Sequence, residues 1–155
     1  MTENPASLTV RQATVDDLDE LTPLFDAYRQ FYLLDSNPEL ARGYLADRIG
    51  NGESTVFLAS EDGRAVGFTQ LYPAFNSLDA TRCYVLYDLF VDPEARRTGA
   101  GRALLNRAAE FGRERGATQL ELFTAHTNTR AQALYESQGW KQDHEFRSYV
   151  LRLDS

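Results

Sequence analysis

Residues 91–105 read V-D-P-E-A-R-R-T-G-A-G-R-A-L-L, and this run limits the fold more than any other part of the chain. The apolar Leu89-Phe90-Val91 reads as the end of a strand. From Arg102 on, Leu104, Leu105, Ala108 and Phe111 recur on one face of a helix, which Gly116 stops. A strand that passes through a short loop into an amphipathic helix needs a sheet for that helix to cover. The connection itself carries Arg96, Arg97, Gly99, Gly101 and Arg102. Glycines let the backbone come close to a ligand, and the N–H groups at a helix start favour an anion. The arginines add charge and bidentate donors for phosphate. These features together describe a pyrophosphate cradle; the same residues also allow a glycine-rich turn flanked by solvated arginines.

Three phosphate motifs compete for the run. The P-loop needs G-x-x-x-x-G-K-[ST], and the chain has no such string; its one lysine is Lys141. The dinucleotide fingerprint begins with Gly99 and Gly101, and Glu121 lies at a fitting distance for a ribose, which would mean a nicotinamide-dependent oxidoreductase. It fails at the third glycine, where Leu104 stands, and at the seven residues that separate the strand end from Gly99. The third motif, R-x-x-G-x-G after V-x-P, fits without gaps.

That string resembles the acetyl-CoA motif of the GNAT superfamily of N-acetyltransferases. A second block is similar to the same family: residues 128–140, N-T-R-A-Q-A-L-Y-E-S-Q-G-W, follow the pattern N-x-x-A-x-x-L-Y-x-x-x-G-[FW]. A helix and a strand fit between the two blocks, as the resemblance requires. Tyr28, Phe31 and Tyr32 together with Asp88-Leu89-Phe90-Val91 look most like the yeast-type branch that acetylates histones, polyamines or D-amino acids. The resemblance implies that Arg96, Arg97, Thr98, Gly99, Ala100, Gly101 and Arg102 hold the pyrophosphate of acetyl-CoA. It further implies that the strand edge at Leu89, Phe90 and Val91 bonds the pantetheine arm and meets the thioester oxygen as an oxyanion hole. Asn128, Ala131 and Tyr135 would complete the cofactor groove.

The remaining chain suits such a fold. Leu8–Gln12 alternates as a strand, and Thr14 with Asp17 is close to a capping box that opens a helix through Leu18, Leu21, Leu24, Phe25 and Tyr28. Pro38 starts a helix to about Ile49, and Gly50-Asn51-Gly52 ends it. Val56–Ser60 and Ala65–Leu71 read as a hairpin, 73–82 as a loop, and Cys83–Val91 as an apolar strand. Thr118–Thr124 reads as a strand, Ala131–Gln138 as a helix, and Trp140–Phe146 with Ser148–Leu153 as a closing hairpin. The order β-α-α-β-β-β-α-β-α-β-β predicts an α/β protein, an α+β mixed sheet flanked by helices, in one domain over residues 1–155. At 155 residues the chain can bury roughly 70% of its unfolded surface.

Composition sets outer limits. With 43% apolar and 25% charged residues the chain reads as an ordinary soluble globular domain. No signal-peptide pattern, no membrane-length apolar run and a single cysteine, Cys83, point to a cytoplasmic protein with no membrane partner. A lone cysteine also leaves no cysteine-based zinc site, and no metal is expected. The net charge of −7 disfavours nucleic acid as a partner. The charge is uneven: nine acids against four arginines in residues 1–50, but six arginines against four acids in 92–116. The acidic half would draw cations toward a site whose phosphate end is positive, or it serves only for solubility.

Acetyl transfer to an amine needs a held thioester, a polarised carbonyl, an uncharged amine and a proton for the thiolate. Tyr135, about two helical turns beyond Asn128, is the general acid the resemblance implies. Asn128 bonds the pantetheine or caps its helix. The base is less determined. Many relatives carry glutamate just before the aspartate of this strand, but here Tyr87 precedes Asp88, so Asp88 and Glu121 are the candidates. Asp88 could instead bond backbone near a strand bulge. A covalent route through Cys83 with His126 or His144 is the rival mechanism, although a cysteine in an apolar strand is usually inert. Tyr28, Phe31, Tyr32 and Tyr87 are the candidate acceptor residues, since aromatic faces with nearby carboxylates suit a cation. The expected activity is acetyl-CoA-dependent N-acetylation of a small cationic amine or amino acid, with a homodimer as the expected assembly. A non-catalytic acyl-CoA-binding or regulatory module of the same fold is the alternative.

Overall fold

The computed structural model describes residues 7–96 and 98–154 and divides into two compact units, Met1–Phe123 and Thr124–Ser155. The first unit holds β1 (Leu8–Gln12), α1 (Leu18–Phe31), α2 (Pro38–Gly50), β2 (Thr55–Glu61), β3 (Arg64–Asn76), β4 (Thr81–Val91), α3 (Ala100–Glu114) and β5 (Gln119–Glu121). The strands form one sheet in chain order, antiparallel from β1 to β4 and parallel between β4 and β5. The parallel step is the one bridged by a helix, α3, as a parallel pair requires.

Strand alternation divides the core between the two faces of the sheet. Val56, Leu58, Phe68 and Phe90 cluster with Leu18, Leu21, Leu24 and Phe25 of α1 and with Ala41 and Leu45 of α2. Phe57, between the first two of these, turns to the opposite face, where its ring centre lies 5.6 Å from that of Phe111 on α3. Gly67 allows α3 to sit close: a Cβ there would lie 2.9 Å from the Phe90 carbonyl and 3.4 Å from Leu104 Cδ1. Helices therefore flank the mixed sheet, as the sequence pattern predicts.

The helix starts follow the local chemistry. Thr14 and Asp17 form the capping box: the Asp17 carboxylate accepts from the Thr14 N–H at 2.8 Å, and Thr14 Oγ1 accepts from the Asp16 N–H at 3.2 Å. A single 3₁₀ turn intervenes before α1. Asn37 caps α2 by accepting from the Leu40 N–H, with Pro38 in the first turn. The buried Asp26 fixes the α1–α2 connection, accepting from Gln30 Nε2, Ser36 Oγ and the Asn37 N–H at 3.1, 2.6 and 2.8 Å.

Two sequence expectations are corrected. The loop expected over 73–82 shrinks to residues 77–80, because β3 runs on through Pro73 to Asn76 and β4 begins at Thr81. Alternation continues across Pro73, which marks an outer stretch of the ladder and not its end. The closing hairpin is absent from the described residues: 140–154 carry no strand, and Tyr149, Val150, Leu151 and Leu153 are exposed. Alternation alone did not suffice there, since the connection around Arg147 lacks the glycine or asparagine that a tight hairpin turn uses. The second unit contains α4 (Thr129–Ser137).

Arg11 holds the Asp17 carboxyl down to about 2, with the Thr14 N–H assisting against burial. A depressed carboxylate stabilises the fold above its unfolded pKa and loses that contribution as pH falls through the folded one. Asp17→Asn should therefore lower stability by roughly 0.5–2 kcal/mol at neutral pH, the usual worth of a cap. The gap to the native protein should close between about pH 4 and pH 2 in urea titrations.

Candidate acceptor and acetyl-CoA site

The site begins with one irregularity in β4. Gln70 pairs with Asp88 and Leu71 with Leu86, so Tyr87 is an extra residue with no partner on β3. A bulge of this kind bends and twists its strand and reverses which side chains face which side. Tyr84, below it, packs on Phe111 of α3, whereas Phe90, above it, belongs to the core under α1. Asp88 is carried to the α1 side with Phe90. At the same place the neighbouring ladder stops: β5 pairs only with Cys83, Tyr84 and Val85. The β5-side edge of β4 from Leu86 to Val91 thus has no β5 partner, including Leu89, Phe90 and Val91.

Asp88 is 5% exposed. Gln70 Nε2 donates to its Oδ2 at 2.7 Å, and Thr69 Oγ1 donates to its backbone carbonyl at 2.8 Å. Burial pushes the carboxyl pKa up, against the Gln70 amide hydrogen bond and the nearby Tyr28 hydroxyl, which favour the ionised form. The sequence alternative of a carboxylate tied to backbone is corrected: the partners are side chains, because the bulge aims the carboxyl at β3 and α1. Gln70 is fully buried, and its Oε1 has no hydrogen-bond partner. Leaving such an acceptor unsatisfied costs about 1–3 kcal/mol.

Tyrosines surround this carboxylate. Tyr28 Oη donates to the Tyr87 carbonyl at 3.4 Å, and its ring meets Phe68 and Phe90 edge-on at 5.9 and 6.3 Å. Outward along α1, Tyr28 contacts Tyr32 and Tyr32 contacts Phe31, each at 5.2 Å between centres. On the other side Tyr72 packs against Tyr87 at 5.6 Å, and its hydroxyl is hydrogen-bonded to that of Tyr44. Burial and the Tyr44 hydroxyl push the Tyr72 phenol pKa up. Tyr28 and Tyr87 are therefore brought beside Asp88, and Tyr32 and Phe31 continue the series from Tyr28. Glu121 is not beside it: it pairs opposite Val85, three positions before Asp88, or about 10 Å along the strand. Gln70, Tyr72 and Tyr44 were missed. A polar Thr69-Gln70 pair inside the apolar run of residues 65–71 was the available signal.

The cradle lies at the end of β4. Asp92 leaves the strand with its N–H on the Val66 carbonyl, and its side chain caps the Glu94 N–H and pairs with Arg64. Thr98 folds back on Ala95 O through both N–H and Oγ1, and Arg96 Nε donates to the Val91 carbonyl at 3.4 Å. Gly99 then takes a left-handed φ of 85° as the residue before α3. The first intrahelical bond is Ala103 N–H to Gly99 O, and Gly99, the N-cap residue, has no side chain to cap the helix. The positive end of the helix dipole at such a start fits a pyrophosphate. Arg97 lies outside the described residues.

In the second unit, Asn128 Oδ1 accepts from the Ala131 N–H at 3.3 Å, so it does cap α4. Tyr135, half-buried, has its ring 6.0 Å from that of Trp140, which is returned to it by the turn at Gly139 with φ 90°. Cys83 is buried, and burial followed by Glu121 raises its thiol pKa, which keeps it protonated and unreactive. No group of side chains suited to a metal occurs among the described residues.

The Asp88 geometry sets a conflict between stability and site chemistry. A carboxyl whose folded pKa is raised costs stability as pH climbs through that value. Asp88→Asn keeps shape and an acceptor for Gln70, so it should raise the urea midpoint at neutral pH; the difference should vanish in acid, where Asp88 is protonated. Equal midpoints at both pH values would show that Asp88 bears no burial cost.

Residues 18–140 match the acetyltransferase (GNAT) family model. The chain is 42% identical over 146 residues to an uncharacterised N-acetyltransferase of Bacillus subtilis (strain 168), YhfO, covering 94% of this chain and 98% of that protein. It is 34% identical over 138 residues to a probable acetyltransferase of Haemophilus influenzae, covering 88% and 92%. The crystal structure of a probable acetyltransferase superimposes with a TM-score of 0.89 at 41% identity, covering 95% of this chain and 99% of the other. With both sequence blocks, the sheet and the family match in agreement, the chain belongs to the GNAT acetyltransferase family and is an N-acetyltransferase.

Proposed function

We propose that the protein transfers the acetyl group of acetyl-CoA to a small cationic primary amine by direct attack in a ternary complex. The observation that carries this reading is the buried Asp88 carboxylate at the bulge, beside a stretch of β4 that β5 leaves unpaired. The amine arrives as an ammonium and must lose a proton before it can attack. For a lysine-type amine that costs about 4.6 kcal/mol at pH 7, and for an α-amine about 1.4. Asp88 first pairs with the ammonium and then takes its proton, directly or through one water. Its raised pKa makes it a better base than a solvated carboxylate.

The amine nitrogen then bonds to the thioester carbon, the C–S bond breaks, and the nitrogen loses its second proton to water to become the amide. Backbone N–H groups at the end of β4 receive the charge on the carbonyl oxygen. Tyr135, the tyrosine of the family signature, protonates the leaving thiolate and recovers its proton from water. The cradle from Arg96 to Arg102 holds the pyrophosphate, with Gly99 giving the turn that exposes the start of α3.

Gly99→Glu should abolish acetyl-CoA binding in calorimetric titrations while the far-ultraviolet circular dichroism is retained. A Cβ at this position meets no atom within 4 Å, so the damage would come from charge and backbone strain at the cradle and not from core overlap. Unchanged affinity would remove the cradle from the mechanism. Tyr135→Phe should lower turnover by roughly 10²–10⁴-fold with little effect on acetyl-CoA affinity. A chemistry-limited rate equal to the native one would assign thiolate protonation to water.

A further inference from the structure

The surroundings of Asp88 describe the acceptor's body as well as its amine. Asp88 Oδ2 is engaged by Gln70, whose own Oε1 is a buried acceptor without a partner. A primary ammonium brings several N–H donors to one point and is the group this pair of acceptors suits. The side chains around Asp88 are aromatic: Tyr28, Tyr32 and Phe31 follow one another through edge-on contacts at the end of α1, and Tyr72 packs edge-on against Tyr87.

Phe31, at the end of this aromatic series, is 50% exposed. Three carboxylates of α1 and of the turn before it already have partners. Asp19 pairs with Arg42, Asp17 with Arg11, and Asp26 is buried under three donors. Asp35 and Glu39 stand exposed to solvent, where salt screens their attraction. On the Tyr44 side the guanidinium of Arg48, paired with Glu53 at 3.2 Å, lies 5.1 Å from the Tyr44 ring centre.

We infer that the acceptor is a primary amine with a single positive charge on an apolar, ring-sized body, in preference to a polyamine. Its ammonium pairs with Asp88 and Gln70 Oε1, and its body lies between the Tyr28–Tyr32–Phe31 wall and the Tyr72–Tyr87 wall. This inference rests on the acetyltransferase reading above and narrows its substrate.

The test measures kcat/KM by acetyl-CoA consumption for 2-phenylethylamine, methylamine and spermidine at matched free-amine concentration, after calorimetry has established acetyl-CoA binding. The aryl amine should exceed both others by about tenfold or more, the scale on which apolar pockets discriminate. Phe31→Ala should reduce the 2-phenylethylamine to methylamine ratio by about threefold or more. Spermidine ranking first, or a ratio unmoved by Phe31→Ala with the aryl amine not preferred, would overturn the inference while the acetyltransferase reading stands. Binding of acetyl-CoA with no acetylation of any of these amines would also overturn it. Failure to bind acetyl-CoA at all would remove the acetyltransferase reading and the inference with it.

Discussion

The hydrogen bond from Gln70 to Asp88 across the β3–β4 ladder is where the sheet's geometry and the site's chemistry meet. It exists because Tyr87 is one residue too many for the ladder. Without that bulge, Asp88 would follow the parity of Tyr84 and Leu86 and face α3. The same extra residue coincides with the end of the β5 ladder. One local fault in a strand therefore aims a carboxylate toward α1 and coincides with an unpaired stretch of strand edge, the one proposed above to meet the thioester.

Such an arrangement works against stability. A carboxylate at 5% exposure and an amide oxygen with no partner are both costs that a purely structural core would avoid. Their cost is offset by regular packing nearby. Phe25, Tyr28, Phe68 and Phe90 stack around the floor of the site, and the Asp26 network holds the end of α1 that carries Phe31 and Tyr32. Departures from the pattern that packing alone would select gather at one point, which is the usual mark of a working site.

Much of this could be read from the residues. β1 follows from alternation, and the capping box, both ends of α2 and the α3 stop at Gly116 from turn and cap chemistry, which is local and needs no tertiary partner. The glycines of the cradle were legible for the same reason. Gln70 and Tyr72 were not, because their part in the site depends on the register of two strands, and register is set by non-local pairing. The hairpin expected over 140–153 shows the opposite failure: its alternation was visible, but the turn chemistry needed to pair its strands was lacking. Glu121 illustrates a further limit, since its distance from Gly99 suited a ribose while its place in the sheet sets it about 10 Å along from Asp88.

The most direct measurement of the central claim is a crystal structure with a bisubstrate ligand, CoA joined through sulfur to an acceptor amine by a short linker. The account predicts the pyrophosphate at the start of α3 beside Gly99, the linker along Leu89–Val91, and the amine nitrogen within hydrogen-bond distance of the Asp88 carboxylate. A ligand bound with its pyrophosphate in the cradle but its amine directed away from Asp88, toward Glu121 or into solvent, would contradict it.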